Sequence, residues 1–462
     1  MSSTTIQPAS WVETLRERLS GRLITPGDAE YDAARIVVSG KVDAHPAAIA
    51  RVANPADVAT AIAVARDRGM ELAVRSGGHD SAGHSTTEGG LVIDLRDMKR
   101  LEIDRDARTA WAETGLTAAE VVTAAAEHGL VIGFGDTASV GIGGITLGGG
   151  IGYLVRKHGL TVDNLLAAEI VTADGQLLRV DADSHAELFW AIRGGGGNFG
   201  VATRFLYRLK PAEDFVGGIL VLPATAEVMS GFMAAADAAS EELSTIANVM
   251  NCPPMPFVAE EFHGQAVVLA MLGFTGDRAA GERAIEPFRD LAEPIADQLR
   301  PMPYAEMFAA EEGAGDYRPK AIDRTFFMQR VDLADAQAII DALNASDAPL
   351  RAVQLRALGG AMARVPADAT AFAHRRARIM AVVVSFFDGD DDFAARQAWV
   401  QKLAATLDQG VPGAYVNFLG DAGEEGVHRA YPRATWDRLA AIKARYDPMN
   451  VFRLNQNIPP AI

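Results

Sequence analysis

Residues 133–152 read Gly-Phe-Gly-Asp-Thr-Ala-Ser-Val-Gly-Ile-Gly-Gly-Ile-Thr-Leu-Gly-Gly-Gly-Ile-Gly, with seven glycines in the twelve positions from Gly141 to Gly152. Glycine at that density gives up backbone entropy, so the segment must need close main-chain approach or positive φ. A flexible linker would not interleave Val140, Ile142, Ile145 and Leu147 with its glycines. Two windows imitate a dinucleotide fingerprint, Gly133 to Ala138 and Gly195 to Gly200. Neither has the required strand-before, helix-after context. The first runs into more glycine, and the second follows a helix pattern and enters a strand pattern. No GxxxxGK[ST] phosphate cradle is present either.

Upstream lies a second small-residue loop, Arg75-Ser76-Gly77-Gly78-His79-Asp80-Ser81-Ala82-Gly83, directly after the strand pattern Met70 to Val74. Consecutive small residues expose a row of backbone N–H groups, a nest suited to a pyrophosphate, and Arg75 is available to add charge. On the residues alone, His79 reads as an ordinary polar loop histidine.

The 462 residues leave room for two lobes or for one large α/β enzyme with an inserted domain. Hydrophobic residues at 49% and charged residues at 22% exclude a disordered chain and a disulfide scaffold. The net charge of −17 would repel phosphate backbones and anionic headgroups, so neither nucleic acid nor a membrane is an expected partner. Cys252 is the only cysteine, which rules out an internal disulfide or a CxxC site; it reads as a strand-end hydrophobe, and no metal site is expected. The N-terminus lacks a signal-peptide pattern and reads as a capped surface helix, which gives an expected cytoplasmic location. The longest apolar runs, 266–272 and 379–384, fall far below the roughly 18 residues that span a bilayer.

Residues 53–130 alternate helix and strand. Asn54 caps a helix opened by Pro55, buried through Val58, Ala61, Ile62 and Ala65, and stopped by Gly69. Strands follow at 91–95 and 109–114, and Thr117 with Glu120 forms a capping box for a helix ending at His128-Gly129. Ala173-Asp174-Gly175 joins two apolar runs as a hairpin, Ser184 and Glu187 cap the helix over 185–193, and 201–209 is a strand. From 213 to about 414 the glycine-rich loops disappear. Strand patterns at 218–223, 265–274, 351–358 and 378–387 alternate with helices at 225–241, 276–292, 333–345 and 391–407, as in an antiparallel sheet covered on one side by helices. Ala414 to Phe418 alternates like a strand, placing Tyr415 and Asn417 on one side. The tail after Asp447-Pro448 is Asn-rich without helical period and is expected to cross back to the first lobe.

These motifs, in this order and spacing, resemble the berberine bridge enzyme-like branch of the vanillyl-alcohol oxidase flavoprotein superfamily. The resemblance is carried by RSGGHDSAG, GFGDTASVGIGGITLGGGIG, VTADG, ELFWAIRGGGGNFGVAT and the closing DPMNVFRLNQNIPP. It is strong over 45–210, good over 412–460, and general in between. It implies an α+β, two-lobed, PCMH-type FAD-binding fold. Residues 1–212 would form the FAD domain, 213–414 an antiparallel-sheet-plus-helices substrate domain, and 415–462 would return to the FAD domain.

The same resemblance implies FAD joined through its 8α-methyl carbon to His79, because a neutral imidazole is a nucleophile and that methyl can be made electrophilic. Relatives add a second bond from the Cys of Cys-Pro-Thr-Val-Gly. Here the matching stretch is Thr137-Ala138-Ser139-Val140-Gly141, so only one bond is expected. The resemblance also sets Arg75, Ser76, Gly77, Gly78, Asp80, Ser81 and Gly83 against the cofactor. From the glycine-dense segment it adds Gly135, Thr137, Ser139, Val140, Gly143, Gly144, Gly149 and Gly150, then Gly200, Val201, Asn455 and Asn457. His84 falls outside the motif and reads as a surface or supporting residue.

Tyr415 is implied as base or substrate anchor, and Asn417 as a hydrogen-bond partner to flavin or substrate. Val140 stands where relatives control oxygen access, Val going with oxidases. The implied reaction is hydride transfer from a small alcohol, sugar or amine, with O2 reoxidising the flavin to give H2O2. A dehydrogenase with another acceptor and a degenerate non-catalytic flavin binder stay open as alternatives. A monomer or homodimer is expected. Arg356 and His374 read, residue by residue, as solvated or structural.

Overall fold

The computed structural model describes residues 10–308, 318–389, 392–420 and 422–461. Local signals set the first elements. Ser10 and Glu13 close a capping box on the helix Trp11–Arg18. The Asn54 side chain accepts from the Asp57 amide to open Pro55–Arg68, which ends at Gly69 with φ 63°. These helices cover a four-stranded sheet ordered Arg22–Ile24, Ala48–Arg51, Leu91–Asp94, Leu72–Arg75, whose last two pairings are parallel. A second, antiparallel sheet runs Leu101–Asp104, Thr109–Glu113, Val201–Arg208, Leu165–Val171, Leu177–Asp181. The capping box of Thr117 and Glu120 opens Ala118–Glu127, which is buried beneath it.

Strands between Phe215 and Phe387 build one antiparallel sheet in the order Ala296–Asp297, Phe215–Pro223, Ala266–Thr275, Leu243–Asn251, Arg351–Ala357, Ile379–Phe387, Lys320–Met328. Ala226–Ala238, Arg278–Arg289, Leu333–Ala345 and Phe393–Leu407 bury an apolar core with it. All four expected helices are present. Strands Leu243–Asn251 and Lys320–Met328, and the helix Arg433–Tyr446, were not anticipated.

Two local expectations fail. The helix Ala186–Ala191 is preceded by His185 at φ 52° with no side-chain cap, because Ser184 is used instead to turn the chain back on Asp181. Residues 414–418 are not a strand. Gly413 at φ 116° and Gly420 at φ 55° bracket a tight 3-10 turn, Val416–Phe418.

The tail does return to the first part of the chain. The Asn198 side chain donates to the Gln456 carbonyl and accepts from the Ile458 amide. Beneath it Lys443 is fully buried, donating to the carbonyls of Asn198 (2.7 Å) and Phe452 (2.9 Å) and to Asp447 (2.6 Å). Burial pushes the amine down from its ordinary value, and Asp447 opposes this. Removing one member of such a pair strands the other charge. Lys443→Met is therefore expected to cost about 3 kcal/mol or more, read as a lowered urea midpoint, with Asp447→Asn partly restoring it in the double variant.

Candidate functional site

The site begins with two loops that cannot separate. A Cβ on Gly77 would collide with the Gly141 amide nitrogen, and one on Gly141 with the Gly77 amide and the Ser76 hydroxyl. Ser76 stitches them, donating to the Thr114 carbonyl at 2.5 Å and accepting from the Gly143 amide at 3.2 Å. This contact sets His79 opposite Ser139, with Nε2 3.1 Å from the Ser139 hydroxyl. Burial lowers the imidazole below its ordinary pKa and so favours the neutral ring, against an opposing contribution from the Ser139 backbone.

The loops form one wall of a cavity of about 450 Å³. Of the anticipated residues, Ser76, Gly77, Gly78, His79, Asp80, Gly135, Thr137, Val140, Gly143, Gly144, Gly200, Val201, Tyr415, Asn417 and Asn455 line it. Ser139 touches His79 from outside the wall. Gly149 and Gly150 lie behind the wall and shape the turn that carries the Gly150 amide. Ser81 bonds Asp323, whose carboxyl burial pushes up to about 6, and Gly83 closes a turn on the Asp80 carbonyl at 3.1 Å; neither reaches the cavity wall. Asn457 is also off the wall, its side-chain oxygen buried without a partner.

Arg75 is a correction. Its guanidinium is wholly buried and turned away from the cavity, donating to the carbonyls of Ser85 (3.0 Å), Ala34 (2.5 Å) and Arg35 (3.2 Å), with Asp94 at 3.8 Å. Desolvation pushes it down to about 10. It braces the loop from behind, its donors turned to carbonyls and not to the cavity.

At the other end, the turn Val416–Phe418 brings Tyr415 and Asn417 together by a route other than strand alternation. The Tyr415 oxygen accepts from the Gly150 amide and from the Asn417 side-chain amide, each at 2.9 Å. Asn417 also donates to the Ile145 carbonyl at 3.2 Å, and any side chain on Gly148 would displace it. Burial raises the phenol above its ordinary pKa. The Gly150 and Asn417 donors, the Ile151 amide and the positive Arg356 act in the other direction.

Sequence reasoning missed the wall opposite. Arg356 is 3% exposed, not solvated. It reaches Asp136 at 2.6 Å, donates to Gln354 at 2.8 Å and lies over the Phe418 ring, while Gln354 donates on to Asn248 at 2.8 Å. His374 is structural, bonded to the Ala430 carbonyl at 2.7 Å. His84 lies on the cavity wall, with Nδ1 3.4 Å from Asp80. The nearest signal for Arg356 was the shared face of Gln354 and Arg356 on one strand; nothing local announced Asp136 as its partner.

A cavity lined by residues of three glycine loops suits a dinucleotide, whose phosphates are held by backbone amides. Ser85 and Asn455 line it, and the Ser85 hydroxyl and the Asn455 side-chain oxygen are buried without hydrogen-bond partners in the protein. Unpaired buried polar groups are costly, so they fit a polar ligand placed between them.

Residues 46–181 match the FAD binding domain family, and residues 414–459 the berberine and berberine-like family. A (R)-6-hydroxynicotine oxidase of Paenarthrobacter nicotinovorans is 33% identical, the alignment covering 96% of this chain and 97% of that protein. The crystal structure of 6-hydroxy-D-nicotine oxidase from Arthrobacter nicotinovorans superposes with a TM-score of 0.85 at 29% identity, covering 96% and 98%. Glucooligosaccharide oxidase from Acremonium strictum, described with a 6-S-cysteinyl, 8α-N1-histidyl FAD, shares the fold with a TM-score of 0.86 at 23% identity, covering 98% and 100%. Fold and cavity define an FAD-dependent oxidoreductase of the oxidase type. The chain belongs to the berberine bridge enzyme-like family of FAD-linked oxidoreductases.

Gly141→Ala tests the loop contact on which the cavity depends. It is expected to yield protein with at most about a tenth of the wild-type flavin content, read as the 450 nm to 280 nm absorbance ratio, because the added methyl must push the two loops apart.

Proposed function

We propose that this chain is an oxidase holding FAD by a single covalent bond from His79 to the 8α-methyl carbon. The observation that carries this is an imidazole on the cavity wall, fixed between two loops that glycine alone allows to meet, in a setting whose burial favours its neutral form. Thr137, on the same wall, has no thiol with which to form a second bond. Main-chain amides around Gly77, Gly78, Gly143, Gly144 and Gly200 would take the diphosphate, and Asn455 a polar edge of the cofactor. Bound there, the flavin supplies a two-electron acceptor for a substrate C–H hydride and passes the electrons to dioxygen as H2O2.

The remaining chemistry falls to the chain's own groups. Acting as phenolate, its own proton first released to solvent, Tyr415 takes the O–H or N–H proton of the substrate and becomes the phenol again; the Gly150 and Asn417 donors to its oxygen favour the phenolate against the burial that opposes it. Asn417 orients Tyr415 and keeps it against the glycine segment. The close-packed wall at Val140 leaves room for dioxygen, where one more methylene would narrow the path. Substrates are small alcohols, sugar hydroxyls or amines, the range over which relatives are named as hydroxynicotine and glucooligosaccharide oxidases. The single buried Cys252 and the acidic surface fit a cytoplasmic monomer or homodimer. Functionally, residues 1–212 with 415–462 act as the cofactor domain and 213–414 as the substrate domain.

Acid-precipitated wild-type protein should fluoresce as a flavin band in a denaturing gel, and His79→Ala should lose the band while keeping dissociable FAD; an unlabelled wild-type band from FAD-saturated protein refutes the covalent reading. In stopped-flow reoxidation of reduced enzyme by air, Val140→Ile should be slower by roughly tenfold, about 1.4 kcal/mol of added barrier. An unchanged rate, or wild-type reoxidation too slow to support turnover, favours a dehydrogenase with another acceptor. A screen for peroxide release over amines, alcohols and oligosaccharides identifies the substrate.

A further inference from the structure

We propose that Ser139 is the positioning residue for flavin attachment: its hydroxyl holds one nitrogen of His79 so that the other, Nδ1, is presented to the cavity. The inference rests on His79 as the attachment site. Nε2 lies 3.1 Å from the Ser139 hydroxyl, and Ser139 stands on the solvent side of the imidazole, off the cavity wall that His79 itself lines. A neutral imidazole carries one N–H and one lone pair, and the hydrogen bond made by one nitrogen decides the state of the other. A serine hydroxyl can donate or accept, and we assign it the acceptor's part: Nε2–H then donates outward to Ser139 and the lone pair is on Nδ1. The pairing is not free to slip, because the contact of Gly77 with Gly141 and the Ser76 bridge to Gly143 fix the register of the two loops. Ser139 is therefore a built-in orienting group, two residues after Thr137 in the stretch Thr137-Ala138-Ser139-Val140-Gly141.

In the attachment step a bond forms between Nδ1 and the 8α carbon, and one C–H bond of that methyl breaks. Its proton leaves to solvent, and its electron pair remains on the isoalloxazine ring. The Nε2 proton is released past Ser139, and dioxygen collects the two electrons and two protons as H2O2. Ser139 acts on the first of these events through the ring it holds, without touching the reacting carbon.

The test uses apoprotein of the full chain, FAD and air, and follows acid-stable flavin and the mass of the intact protein with time. Ser139→Ala is expected to attach FAD roughly three- to tenfold more slowly, the loss that one hydrogen bond of ordinary strength commands. Its dissociable FAD affinity, read by fluorescence quenching before attachment, should be unchanged. Ser139→Thr, which keeps the hydroxyl, should restore the rate. Attachment by Ser139→Ala at the wild-type rate overturns the proposal while leaving His79 as the linkage site, whereas wild-type protein without acid-stable flavin overturns both. A second measurement needs no variant: the flavin peptide released by proteolysis should show its bond at Nδ1 by NMR, and a bond at Nε2 overturns the role of Ser139 outright.

Discussion

The architecture turns on the contact between Gly77 and Gly141, where two main chains meet with no space for a Cβ on either. Everything at the cavity follows from it. Because the loops are backbone to backbone, His79 faces Ser139, the wall presents amide groups in place of side chains, and Ser76 reaches both Thr114 and Gly143. The cost is the backbone entropy of so many glycines. It is offset by the surrounding sheets, whose cores are buried and apolar on either side of the loops. Glycine is placed where a ligand must approach main chain, and the packing that holds it there comes from elsewhere.

What the sequence disclosed was local. Asn54, Pro55 and Gly69 wrote the start and stop of a helix in three residues, and Thr117 with Glu120 did the same for another, because a cap is a contact between near neighbours. The uninterrupted apolar runs of the large sheet were legible for the same reason. Leu243–Asn251 was not, since Ser244, Thr245 and Asn248 interrupt its pattern; the burial of Ser244 and Thr245 is imposed by the tertiary packing of the sheet.

Where an expectation failed, a distant partner had taken the residue. Arg75 stood beside a phosphate-like nest and read as its charge, yet Asp94, Ala34 and Ser85 claim its donors. Ser184 had a cap's spacing, but Asp181 turned the chain first. Tyr415 and Asn417 were rightly paired and wrongly explained. They meet because a turn folds the amide back onto the phenol, and the turn exists because Gly413 and Gly420 permit it. The residues that would serve chemistry were thus easier to find than the geometry that makes them serve.

The opposite wall shows why substrate choice stays hidden in such a chain. Arg356 and Asp136 are 220 positions apart, and each reads alone as an ordinary charged residue. Together they close a desolvated bridge from the large sheet to the glycine segment, extended through Gln354 to Asn248. The donors of Arg356 are committed to Gln354, Asp136 and the Ile151 carbonyl, so the guanidinium is a fixed wall and not a free clamp for a substrate anion. What it lends the cavity is a positive potential near Tyr415, which favours loss of the phenolic proton against the burial that resists it. The bridge joins the large sheet to the glycine segment across the cavity, and that is a property of the assembled fold that no single segment carries.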